Sequence, residues 1–238
     1  MRVTLATSPG SPGWPNEDFA AAAPGAAVLL DGATQFPRGA DSGCVHGVAW
    51  HARTLGTGLL AEITAEPAVP LPRALGQAIA GVRARHEDTC DLSHPATPAA
   101  TVTALRLTPG GIEYLALSDS TIAADLSDGD PLIITDTRPP ARANLATTDL
   151  AAAARACTGT IPLTGLHGIA LLSDGAARLT DRFGLLTWPA ALAVIRDSGP
   201  AELIRQVRSA EASDPDGTRW PRSKPADDAT ILYWHLSD

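Results

Sequence analysis

Four acidic positions stand where apolar runs begin or end. Val28-Leu29-Leu30 leads into Asp31-Gly32, and Ala170-Leu171-Leu172-Ser173 leads into Asp174-Gly175. Tyr114-Leu115-Ala116-Leu117-Ser118 leads into Asp119, and Asp227-Asp228 precedes Ala229-Thr230-Ile231-Leu232-Tyr233-Trp234. An apolar run bounded by Asp and Gly reads as a buried strand that presents a carboxylate where the chain turns. Any single Asp-Gly is first of all a turn signal. The set as a whole gathers negative charge at the ends of strands. Burying several carboxylates costs on the order of several kcal/mol each unless cations neutralise them. A divalent ion is the simplest neutraliser. With oxygen ligands only, and neither Cys nor His in the pattern, the expected ion is Mg²⁺ or Mn²⁺ rather than zinc.

The elements that must position these residues follow from periodicity and turn chemistry. Strands are expected over residues 2–7, 26–31, 101–107, 112–117, 121–126, 132–135, 169–173 and 229–236. Pro109-Gly110-Gly111 and Asp128-Gly129-Asp130 read as hairpin turns. A helix is expected over 41–64, with Val45, Val48, Ala52, Leu55 and Leu59 on one stripe. A second is expected over 71–90, with Leu71, Leu75, Ile79 and Val82 on one face, and His86 continues that stripe as a core histidine. A short Ala-rich helix fits 149–157, and two more fit 187–197 and 200–212, opened by Thr187-Trp188-Pro189 and Ser198-Gly199-Pro200. Helices, a block of antiparallel strands, then more helices and a closing strand predict a single α+β domain over residues 1–238.

Composition narrows the class. A formal charge of −8 over 238 residues argues against a general binder of nucleic acid or anionic membrane. No apolar run approaches the length of a transmembrane helix, about 18 residues. The first ten residues lack the apolar run of a signal peptide, so the expected location is cytoplasmic. The three cysteines include no CxxC pair, which predicts neither a disulfide framework nor a zinc site. The short Pro-broken connection between the first two helices predicts that they pack antiparallel. Cys44 would then approach Cys90, and His46 would approach His86.

The order and context of the acidic motifs carry a resemblance. Asn16-Glu17-Asp18, Leu30-Asp31-Gly32, Ala99-Ala100-Thr101-Val102, Leu117-Ser118-Asp119-Ser120, Leu172-Ser173-Asp174-Gly175 and Asp227-Asp228-Ala229-Thr230 follow one another as in the metal-dependent type 2C protein phosphatases, which this chain resembles over nearly its whole length. Each motif is weak singly, and their order makes the signal specific. The resemblance implies a four-layer α-β-β-α sandwich with two central antiparallel sheets. It implies Mn²⁺ or Mg²⁺, with two core ions and a third, weaker one. Asp31 would bridge the core ions. Glu17 and the Gly32 carbonyl would complete one site, and Asp174 and Asp227 the other. Asp119 would hold the third ion with Asp174, and Asp18 would hold the attacking water. Water activated between two metals needs no protein nucleophile.

The second layer departs from the family pattern. Gly13 stands where an arginine clamps the phosphate, and Ala33 where a histidine often stands. Ser118 and Thr121 replace the Gly and Arg of the Gly-Asp-Ser-Arg motif. Replacement cations are sought at Arg38, seven residues after Asp31, and at Arg222, five before Asp227, with Arg219 and Lys224 nearby. His46 is a candidate stand-in acid. Trp14 and Trp220 either wall the cleft or cover core edges. The expected function is a phosphomonoester hydrolase acting on phosphoserine or phosphothreonine in proteins. The alternatives are a phosphatase of small phosphomonoesters, or a non-catalytic phosphoprotein-binding module of the same fold. The retained acidic set argues against the module.

Overall fold

A computed structural model describes residues 2–33, 39, 41–136, 138 and 144–236. Among these the strands form two antiparallel sheets of five, and the chain divides into two compact units, each built on one sheet.

One unit comprises residues 17–120 and 135–161. Its strands are β2 (Phe19–Ala23), β3 (Ala26–Leu30), β4 (Val102–Thr108), β5 (Gly111–Leu117) and β8 (Cys157–Ile161), in the spatial order β2-β3-β4-β5-β8. Between β3 and β4 run α1 (Val48–Ala65) and α2 (Leu71–His86). Leu55 and Leu59 of α1 and Leu75 and Ile79 of α2 share one buried cluster with Val28, Leu30, Val102 and Leu115. The helix face and the alternate residues of the strands thus form the core that the periodicity predicts. The first helix starts later than expected. Val45 is 76% exposed and lies ahead of α1, because the stripe becomes helical only at Val48.

The other unit comprises residues 1–16, 121–134 and 162–238. Its strands are β1 (Arg2–Ser8), β6 (Thr121–Leu126), β7 (Leu132–Ile134), β9 (Leu166–Leu172) and β10 (Ala229–His235), in the order β1-β10-β9-β6-β7. Its helices are α3 (Asp174–Asp181), α4 (Trp188–Ser198) and α5 (Pro200–Ser213). Leu192, Ile195, Leu203 and Val207 bury against Ala170, Leu172, Ile231 and Tyr233. The Thr187 hydroxyl caps α4 by accepting from the Ala190 N–H, as the Thr-Trp-Pro signal predicts.

Three elements depart from the sequence reading. β2 and β8 are strands that composition did not mark, and Asp174-Gly175 opens α3 instead of making a turn. Residues 150–155 form a 3₁₀ helix whose cap, Asp149, accepts from the Ala151 N–H. No helix among the described residues is long and apolar enough to cross a membrane.

Candidate active site

The acidic residues fall into two groups, one in each unit. In the first, β3 ends at Leu30 and the chain continues as Asp31-Gly32 beside residues 99–101. The Thr101 N–H donates to the Asp31 carbonyl at 2.8 Å, and the Asp31 N–H donates to the Thr101 hydroxyl at 3.1 Å. The Ala33 N–H donates to the Ala99 carbonyl at 2.9 Å. The Ala-Ala-Thr-Val motif is therefore the rail that fixes the backbone of Asp31. Thr101 Oγ1 also meets the buried Ser120 hydroxyl at 2.6 Å, which ties the segment after β5 to the same rail.

Glu17 joins Asp31 through a close approach at Gly32. A Cβ on Gly32 would stand 2.6 Å from the Glu17 carbonyl oxygen, 2.9 Å from Glu17 Cβ and 2.5 Å from Val48 Cγ1. Only glycine lets the Glu17 segment lie against the end of β3.

Asp119 is exposed at the end of β5 and accepts from the Ser118 hydroxyl at 3.3 Å. Ser118, which stands where the family has glycine, has φ +70°, the left-handed conformation that glycine adopts without cost. Its backbone is held by Asp136. The Ser118 N–H donates to Asp136 Oδ2 at 3.2 Å, and the Asp136 N–H returns to the Ser118 carbonyl. The Arg138 guanidinium beside Asp136 holds that carboxyl below its usual range.

In the second unit Gly175, next to Asp174, packs against the Asp227-Asp228 segment in the same manner as Gly32 against Glu17. A Cβ on Gly175 would stand 2.0 Å from the Asp228 carbonyl oxygen and 3.0 Å from Asp227 Cβ. The Ser173 hydroxyl accepts from the Thr230 N–H at 2.9 Å, and the Ser173 N–H donates to the Thr230 carbonyl, which locks β9 to β10 at the acidic end. Asp228 is buried and accepts from the Gly10 N–H at 2.7 Å, so it anchors the loop after β1. Asp227 carries two cations. Arg178 donates to its Oδ2 at 3.0 Å and Lys224 to its Oδ1 at 2.6 Å. Oδ1 also accepts from the Asp228 N–H at 3.1 Å, which engages both its lone pairs, while Oδ2 keeps one lone pair with which to face a metal ion.

Arg222 is not the phosphate clamp. Its side chain is 1% exposed and its donors go to Asp214 Oδ2, to the Trp220 and Pro225 carbonyls, and to the Glu211 and Asp214 carbonyls. The polar loop that suggested a substrate arginine instead closes on a buried carboxylate. Arg38 lies outside the described residues. Trp220 is a core residue, with its indole N–H donating to the Phe183 carbonyl, while Trp14 is exposed. His46 meets Cys44, Cys90 and Trp50, and no contact links it to Asp31 among the described residues. The residue that sequence reasoning passed over is Arg178, whereas Lys224 was among the candidate cations and proves to sit on Asp227. The signal available for Arg178 was its place four residues after Asp174, one turn further along what proved to be a helix.

The protein phosphatase 2C family model matches residues 8–207. The chain belongs to that family. It is thereby a phosphatase, and its two antiparallel sheets with their helices are the α+β fold of that family. The serine/threonine phosphatase PstP/Ppp of Mycobacterium tuberculosis is 17% identical, with a TM-score of 0.65, and the match covers 100% of this chain and 99% of that one. The PPM Ser-Thr phosphatase MsPP of Mycobacterium smegmatis, solved with cacodylate, is 16% identical with a TM-score of 0.63, covering 100% and 99%. The catalytic domain of PstP, solved with two manganese ions, is 15% identical with a TM-score of 0.62, covering 100% and 98%. Among curated proteins no relative matches.

Proposed function

We propose that this phosphatase is a Mn²⁺- or Mg²⁺-dependent hydrolase of phosphoserine and phosphothreonine in proteins, working as one catalytic domain. The observation that carries the reading is the pair of close approaches at glycine. Gly32 brings Glu17 to Asp31, and Gly175 brings Asp174 to Asp227. The donors these residues offer are carboxylate oxygens, which suit Mg²⁺ and Mn²⁺ and not softer metals.

In this reading Glu17, Asp31 and the Gly32 carbonyl would hold one ion, and Asp174, Asp227 and Asp31 the other. Asp119 with Asp174 would hold a third, weaker ion. When bound, the ions supply a water activated at neutral pH and neutralise charge on the phosphoryl oxygens. Asp18 accepts a hydrogen bond from the attacking water and orients it. Thr101 keeps Asp31 from turning, through its two bonds to the Asp31 backbone. Arg178 and Lys224 offset the carboxylate charge around Asp227, which lessens repulsion of an incoming phosphate dianion. Arg38 is the proposed partner for the phosphate itself, in place of the arginine that Gly13 lacks.

The test is phosphate release from phosphoserine and phosphothreonine peptides with and without added Mn²⁺, for the natural chain and for Asp31→Asn and Asp174→Asn. Turnover that requires Mn²⁺ and all but disappears in both variants is expected. Metal-independent turnover, or full activity in Asp31→Asn, would overturn the mechanism. Hydrolysis of small phosphomonoesters with no peptide turnover would overturn the protein-substrate assignment alone.

A further inference from the structure

A second metal-type cluster lies within the first unit, away from the acidic set in chemistry. Cys44 and His46 precede α1, His86 is the last residue of α2, and Cys90 follows it. One ligand atom from each lies within 4.8 Å of every other. Cys44 Sγ is 3.4 Å from His86 Nδ1 and 3.8 Å from His46 Nδ1, and Cys90 Sγ is 3.5 Å from His46 Nδ1. We propose that Cys44, His46, His86 and Cys90 bind one Zn²⁺ that clips the segment ahead of α1 to the end of α2. The proposal runs against the expectation, drawn from the missing CxxC pair, that the cysteines make no zinc site.

The geometry suits one tetrahedral ion. Zinc bonds of about 2.3 Å to sulfur and 2.0–2.1 Å to nitrogen give tetrahedral edges of roughly 3.3–3.8 Å. The three sulfur–nitrogen distances already match those edges. The two sulfurs are 2.7 Å apart, so they would open by about 1 Å to reach such an edge. That separation also exceeds the roughly 2.05 Å of a disulfide bond. Two thiolates and two imidazoles are the softer donor set that zinc prefers over Mn²⁺ or Mg²⁺.

Two independent observations point to a ligand. His86 is 1% exposed, and among the described residues a cluster sulfur is the only hydrogen-bond partner of its ring, since its Nε2 is buried without one. Burying an imidazole for a single weak sulfur contact leaves its desolvation uncompensated, and a coordinated cation would supply the compensation. The site is also prepared by the backbone without the ion. The Asp91 N–H donates to the Gly43 carbonyl at 2.6 Å, which brings the Cys44 and Cys90 segments side by side. Gly43 has φ +65°, and a Cβ there would stand 2.6 Å from His94 Cβ. The His46 N–H donates to Cys44 Sγ at 3.4 Å, a bond that supports a thiolate. Trp50 stacks on His46 with ring centroids 3.9 Å apart and fixes that ring.

The test uses the full chain, purified reduced and without chelator, with metal content measured by mass spectrometry. About one equivalent of zinc per chain is expected. Exchange with Co²⁺ should give thiolate-to-cobalt charge transfer and the d–d bands of a tetrahedral ion. Cys90→Ser and the half-buried His46→Asn should lose the zinc and alter or abolish those bands. Cys157→Ser, outside the cluster, and Asp174→Asn, in the acidic set, should keep both. Stripping the zinc should lower the Tm. The proposal fails if reduced protein offered zinc and cobalt shows neither retained metal nor thiolate bands. It fails equally if the bands persist in Cys90→Ser, or if Cys44 and Cys90 are found joined as a disulfide in freshly purified protein alkylated under non-reducing conditions. None of these outcomes depends on phosphatase activity.

Discussion

Arg178 and Asp227 are joined at 3.0 Å, Nη2 to Oδ2, between the last turn of α3 and the residue two positions ahead of β10. The other arm of Arg178 donates to Glu211 on α5 at 2.6 Å, and Arg208 meets the second Glu211 oxygen. One buried guanidinium thus fixes a proposed metal ligand against the helix layer of its own unit. Replacing it with an apolar residue leaves Glu211 buried with one partner fewer and loosens the Oδ2 side of Asp227, which keeps Lys224 on Oδ1. Arg178→Met is expected to cost about 3–5 kcal/mol in urea unfolding. It should also raise the Mn²⁺ needed for half-maximal activity, and an unchanged metal titration would show that Asp227 is placed by its backbone alone.

Lys224 acts on the same carboxylate with opposite consequences for the metal. Its ammonium, 2.6 Å from Asp227 Oδ1, repels a cation arriving there. Lys224→Met should therefore lower the half-activating Mn²⁺ concentration while leaving the fold intact. A rise would mean that Lys224 orients Asp227 more than it competes with the ion.

Glycine substitutions separate close approach from helix preference. Gly175→Ala puts a Cβ 2.0 Å from the Asp228 carbonyl and must push the Asp227 segment away. A displacement near 1 Å is worth roughly a hundred-fold in kcat/KM. Gly81→Ala, on the exposed side of α2, meets nothing within 4 Å and should stabilise by about 0.4–1 kcal/mol with activity unchanged. Steady-state kinetics and thermal unfolding of the two variants check both claims.

Ser118 sits in a left-handed conformation that costs an ordinary residue about 1–2 kcal/mol. Ser118→Gly removes that cost but adds freedom to the unfolded chain, worth roughly 0.5–1 kcal/mol. A net gain of up to about 1.5 kcal/mol is expected by the balance of the two. Asp119→Ala should leave stability unaltered and raise the Mn²⁺ requirement. Equal metal titrations for Asp119→Ala and the natural chain would make Asp119 a turn residue only.

Asp214 carries a pH dependence of folding. Burial alone would raise its pKa, but the Arg219 and Trp220 N–H groups and the Arg222 guanidinium outweigh burial and hold it down at about 2. Its folded pKa lies below the ordinary carboxylate value of about 3.9. The stability it contributes is therefore complete above that value and is lost as pH falls through about 2. The unfolding free-energy difference between the natural chain and Asp214→Asn should be constant above about pH 4 and shrink below it. Arg222→Ala should reproduce the loss of stability, with kcat/KM on an aryl phosphate changed by no more than a few-fold.

Local chemistry determined much of this protein. The apolar runs into Asp31 and Asp174, the hairpin turns at Pro109-Gly110-Gly111 and Asp128-Gly129-Asp130, and the faces of α1 and α2 are set by residue type and period, so they are legible one segment at a time. The order of the acidic motifs carried the family. Other features exist only because distant segments meet. The Ala-rich β2 has little strand preference of its own and is a strand because β3 supplies its hydrogen bonds. Cys157–Ile161 becomes β8 by pairing with β5, where Gly159 faces Tyr114. Asp174-Gly175 can begin a turn or a helix, and α3 wins where its Ala176 and Leu179 find the core beside α5. Side-chain partners were the least legible. Arg222 and Arg178 are both cations near acidic motifs, yet burial beside Asp214 spends one inside the unit and Asp227 takes the other. The Cys-x-His and His-x₃-Cys pairs, 39 residues apart, carry no recognisable spacing, because a helical hairpin and not the local chain brings their four ligand atoms together.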